Sequence, residues 1–139
     1  MSCEPETESP PAPARSAIGS VRTVSKRYTG TQPEPGETVI QIDRSSPVLG
    51  NRHHMQGSSL AERERVIAAN AADIDRDALI RGPISQALNA IAARVANGEN
   101  IALACWCAPA ACHGDNYVRI LAARAQGLAD QRCRERDDA

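Results

Sequence analysis

The stretch Asn100-Ile-Ala-Leu-Ala-Cys-Trp-Cys107 is a short apolar run that ends two residues before Pro109, which turns the chain because it cannot continue a central ladder. It reads as a strand, and what precedes it decides how that strand is paired. Pro83 opens a helix whose Ile84, Leu88, Ile91, Ala92 and Val95 fall on one apolar stripe, and Asn97-Gly98 stops it. Upstream, Ser58 or Ser59 caps another helix with Leu60, Ile67, Ala71 and Ile74 along one face. Glu62 supplies its capping-box carboxylate, and Glu64 interrupts the stripe. Glu37-Thr-Val-Ile-Gln-Ile-Asp43 is β-branched and bounded by turn residues, a second strand, and Ile18 to Ser25 holds a shorter first one. After the cysteine-rich turn, Asp115 to Gly127 is a third helix with Val118, Leu121, Ala122 and Ala125 inward. A crossover through helices from one strand to the next predicts parallel pairing. The expected fold is therefore α/β: a small single domain with a short, mostly parallel sheet flanked by helices. Its ligand site should lie in the loops that leave the carboxyl ends of the strands, Arg44–Ser58 and the cysteine loop.

Composition bounds what this fold can do. The chain has 139 residues, 24% of them charged, and its 24 alanines outweigh a complete lack of phenylalanine. Val, Ile and Leu supply only 24 residues, enough for one small core. A net charge of −1 excludes a whole-chain polycation, so any nucleic-acid contact must be a local patch. Residues 1–17, with four prolines, read as a disordered tail, 18–128 as the folded domain, and 129–139 as a charged tail. Without a membrane-length apolar run or a signal-peptide pattern, the expectation is a cytoplasmic protein with no membrane partner and without structural disulfides.

Three of the five cysteines fall within eight residues, in Cys105-Trp-Cys-Ala-Pro-Ala-Ala-Cys112, followed by His113, Gly114 and Asp115. Three readings stand. Cys105, Cys107, Cys112 and His113 are ligand types suited to zinc, although adjacent Cys112 and His113 make joint ligation awkward. Alternatively, a strand, a tight loop and a helix start form an anion site and lower a cysteine's pKa. There Cys107, Cys112, His113 and Asp115 are the candidate catalytic residues, with Asp115 most simply a cap. The spacing from Cys107 loosely parallels a Cys-x5-Arg phosphate cradle, but the arginine is missing. In the third reading the cysteines merely pack as small hydrophobes.

Leu103-Ala-Cys-Trp-Cys-Ala-Pro-Ala-Ala-Cys-His-Gly-Asp115 closely resembles the hallmark loop of the DUF4326 family, found in bacteria and many of their phages. The resemblance extends over about residues 20–125, through the basic strand Val21 to Arg27, the strand Val39 to Arg44, the Leu49-Gly50-Asn51 step and the two central helices. One departure is local: the family continues Gly-Asn with Pro-Phe, whereas Gly50-Asn51 is followed here by Arg52-His53-His54. The resemblance implies a compact α/β fold and a site built on the cysteine loop, but no reaction. Occurrence in phages implies a setting in nucleotide or nucleic-acid metabolism, in the host cytoplasm for a phage-encoded member.

Arg44, Gly50, Asn51 and Gly114 are the candidate ligand-binding residues, Arg44 as a phosphate clamp against an exposed salt-bridge arginine. His53 and His54 read as surface histidines, and Trp106 as a core anchor. The leading functional expectation is a site for a small nucleotide-like or otherwise phosphorylated ligand. The alternative is a zinc-stabilised interaction module without catalysis.

Overall fold

In the computed structural model, which describes residues 18–26, 32–106 and 112–138, the apolar run is the middle strand of three. The elements are β1 (Val21–Ser25), β2 (Glu37–Gln41), α1 (Leu60–Leu79), α2 (Pro83–Ala96), β3 (Asn100–Cys105) and α3 (Gly114–Asp138). The sheet order is β1-β3-β2, and both outer strands run parallel to β3. The chain is thus a small α/β domain of the expected class. Val24 pairs with Ala104 and Ile40 with Leu103, which brings the carboxyl ends of all three strands to one edge.

Side chains alternate across a strand, and β3 uses the two faces differently. Ile101, Leu103 and Cys105 enter the main core with Leu88, Ile91, Val95, Tyr117 and Leu121. Ala102 and Ala104 lie with Val24 in a small second cluster. The stripe of α2 is inward as the periodicity requires, with Leu88 and Ala92 fully buried. A fully buried leucine of this kind contributes about 1.5–3 kcal/mol. The start of α2 at Gly82 lacks a side-chain cap of its own. Asp77, from the end of α1, compensates by accepting from the Ile84 and Ser85 N–H groups at 3.2 and 2.6 Å.

Several expectations are corrected. Ser59 does cap α1, its hydroxyl accepting from the Glu62 N–H at 3.1 Å, but Leu60 is 69% exposed. The buried positions of that helix are Val66, Asn70, Asp73 and Ile74, a face shifted from the apolar stripe because half of it is polar. α3 runs past Gly127 to Asp138, with the glycine at an open position inside the helix. Its inward face adds Tyr117, fully buried, while Ala122 is exposed. Trp106 is not a core anchor: it is 51% exposed beyond the end of β3. Cys133 is buried. Among the described residues, no helix is long and apolar enough to cross a membrane.

Candidate functional site

Where the three strands end, the segment after β2 and the start of α3 meet. The joint is made by His113, whose ring Nε2 lies 2.6 Å from the Ile42 carbonyl and 3.1 Å from that of Leu49. Carbonyl oxygens only accept, so Nε2 carries the proton. The Tyr117 hydroxyl donates to the same Leu49 carbonyl at 2.9 Å, with its ring edge-on to His113. Burial pushes the Tyr117 hydroxyl's pKa up, so it stays a neutral donor. His113, just before α3, and Tyr117, in its first turn, therefore grip the loop that contains Gly50 and Asn51.

α1 grips the other side of that loop. Asn51 is buried, donating to the Val66 carbonyl at 3.0 Å and accepting from the His53 N–H at 2.9 Å. Asp73 accepts from Arg52, from His53 at 2.6 Å and from Arg76. Burial raises the Asp73 carboxyl, but the Arg52 and His53 contacts outweigh it and hold the group below its ordinary value. Asn116 joins α3 to α1 by donating to the Ile67 carbonyl and to Asn70.

Between these supports lies a cavity of about 560 Å³. Met55, Val66 and Ile67 form an apolar wall, Cys105, Cys112 and His113 another, and Asp43, Arg44, Ser45, His53, Arg63 and Trp106 surround it. Asp43 organises one side: it takes the Lys26 ammonium at 2.6 Å, the Trp106 indole N–H at 3.0 Å and the Ser45 hydroxyl. Lys26 also sits 5.2 Å from the centre of the indole ring. The Lys26 and Ser45 hydrogen bonds hold the Asp43 carboxyl down at about 2. Lys26 is thereby committed to an internal ion pair, and Arg22 likewise to Glu37. Arg44, by contrast, belongs to no salt bridge among the described residues.

The sequence-predicted site residues separate into groups. Cys105, Cys112, His113, Arg44 and Asn51 converge on the cavity. Gly50 lines a smaller neighbouring cavity of about 280 Å³ with Arg44, Arg52 and His54. Gly114 is a packing glycine: a side chain there would meet Ile42 Cδ1 at 2.7 Å and Thr23 Cγ2 at 2.8 Å. Asp115 is exposed and accepts from the Cys112 N–H at 3.2 Å, a capping role. Cys107 lies outside the described residues. Sequence reasoning missed Asp43, Met55, Arg63 and Val66, and placed Trp106 in the core and His53 on the surface. Asp43 ends the second strand at the predicted ligand edge, a signal that was available but served only to bound the strand.

Of the residues read as a zinc set, Cys105, Cys112 and His113 are described and Cys107 is not. His113 gives its Nε2 proton to two backbone carbonyls, which leaves Nδ1 as the acceptor atom of the ring, and among the described residues no group of three His, Cys, Asp or Glu side chains is disposed to hold a metal ion. The Cys105 and Cys112 sulfurs stand 3.2 Å apart.

Residues 24–123 match a family described as a domain of unknown function, DUF4326. The chain belongs to the DUF4326 family. Every residue lining the larger cavity falls inside that match, as do all three strands apart from the first residues of β1. No curated protein and no solved structure matches this DUF4326 chain.

Proposed function

We propose that the cavity binds a small planar ligand carrying a phosphate, of the nucleotide class, with Arg44 as the anion contact and Trp106 as the surface for the ring. The observation that carries this reading is the cavity's place and lining. It opens at the carboxyl ends of parallel strands, where α/β folds bind their ligands. Its volume lies within the ~300–1,000 Å³ of small-molecule sites, and its lining sets apolar Met55, Val66 and Ile67 against polar and charged side chains. Asp43 is already neutralised by Lys26, and Asp73 by Arg52 and Arg76, so the arginines set the charge at the mouth. Arg44 can offer a two-pronged contact to a phosphate without first breaking an ion pair among the described residues. The half-exposed indole, held by its N–H on Asp43, offers a ring face at a fixed orientation.

The test is direct because Trp106 is the only tryptophan in the chain. Its fluorescence is titrated with each of the four common nucleoside 5′-monophosphates. A saturable change is expected with at least one, and Arg44→Ala should weaken it by about tenfold, the loss of a charge-assisted contact worth roughly 1.4 kcal/mol. No saturable change up to about 1 mM with any of them, the weak end of specific binding, would overturn the reading.

A further inference from the structure

We propose that Cys105 and Cys112 form a peroxide-responsive dithiol that closes to a disulfide across the wall of the cavity. The two residues come from different elements, the end of β3 and the residue two before α3, and both are buried thiols. Their sulfurs stand 3.2 Å apart, roughly an ångström more than a disulfide bond requires. Packing holds them in place: both belong to the main core cluster, beside Ile42 and Tyr117. Both also line the cavity, so a small oxidant reaches them from the ligand side without unfolding the sheet. The Gly114 N–H donates to the Cys112 sulfur at 3.3 Å, which stabilises negative charge there and marks Cys112 as the attacking sulfur.

The chemistry balances with hydrogen peroxide as the oxidant. The Cys112 thiolate attacks one peroxide oxygen, the O–O bond breaks, and the hydroxide released leaves as water after taking a proton. The Cys112 sulfenic acid is then attacked by the Cys105 sulfur, which gives up its proton as the S–S bond forms and the S–O bond breaks, releasing a second water. Two thiols lose two electrons to one peroxide. A small thiol reverses the step by exchange. Closure ties the β3 end to the α3 start, on the wall beside Trp106. It does not depend on what the cavity binds, and its readout is covalent, so its failure and that of the nucleotide reading are separable.

The experiment uses the full chain, reduced and then treated with one equivalent of hydrogen peroxide, alkylated and cut with trypsin. Cleavage after Arg94 and Arg119 places Cys105, Cys107 and Cys112 on one peptide. In Cys107→Ser, that peptide should lose two hydrogen masses, take up no alkyl group, and recover both thiols on treatment with dithiothreitol. In the natural chain the same loss should appear, with fragmentation placing the single alkyl group on Cys107. Two alkylated thiols at Cys105 and Cys112 after peroxide, or a bond from either to Cys107 in the natural chain, would overturn the proposal. So would irreversible addition of oxygen at Cys112 in place of the bond.

Discussion

The inward side of α2 is Leu88, Ile91, Ala92 and Val95, with Ser85 its one buried polar residue, whereas that of α1 is Val66, Asn70, Asp73 and Ile74. Both helices connect β2 to β3, and both have buried faces. α2 is held by removing apolar surface from water, which has no directional requirement. α1 is held by hydrogen bonds and ion pairs to Asn51, Arg52, His53 and Asn116, each of which fixes a distance and an angle. The apolar helix supports the sheet, and the polar one positions the loop that walls the cavity.

Substitutions can break or sharpen that contrast. The largest effect belongs to the apolar side: Leu88→Ala should destabilise the fold by about 2–5 kcal/mol in urea unfolding. Asp73→Ala removes the shared acceptor of Arg52, His53 and Arg76, but Arg52 and Arg76 are 75% and 65% exposed and can be hydrated instead. A smaller loss is expected there, about 1–2 kcal/mol, together with a changed Trp106 emission or ligand response that Leu88→Ala does not share. If Asp73→Ala leaves the cavity's behaviour untouched, the positioning role of α1 is wrong. Ser59→Ala, at the cap of the same helix, should cost about 1 kcal/mol in thermal unfolding.

The effect of pH is more local. The folded Asp43 carboxyl titrates at about 2, below its ordinary 3.8, so protons bind more readily to the unfolded chain. Its stabilisation is therefore complete above about pH 4 and is lost as the pH falls through about 2. Trp106 emission, followed across that window, should shift as the indole loses its carboxylate partner, and Asp43→Asn should abolish the transition. A midpoint near 3.8 would show that the Lys26 pair does not form. The smallest effect should come from Leu79→Ser, at the exposed end of α1, within about 0.5 kcal/mol although it alters a leucine.

The contrast between the two helices also explains which parts of the molecule could be read before folding. α2 was legible because an apolar stripe at helical spacing reports its own burial. The inward face of α1 was not, because Asn70 and Asp73 look like solvent-facing residues until Asn116, Arg52 and His53 arrive to meet them. Leu60 drew the stripe to itself and proved exposed. The cysteine loop was identified by its motif, and two of its thiols do meet. The motif could not tell that His113 spends its Nε2 proton on two backbone carbonyls. Trp106 looked like core because it is large and apolar. Beyond the end of β3, however, it has Asp43, Lys26 and the cavity beside it rather than a second layer.

Periodicity, β-branching and the helix-strand order were enough to determine the α/β class and the parallel pairing, since these follow from local geometry and the burial of apolar surface. The partners of Asp43, Asp73 and His113, and the 3.2 Å approach of Cys105 to Cys112, were decided only by the tertiary structure. Each joins residues that no local pattern links, and polar contacts need donor and acceptor atoms placed within a few tenths of an ångström, a condition that the packed sheet and helices alone supply.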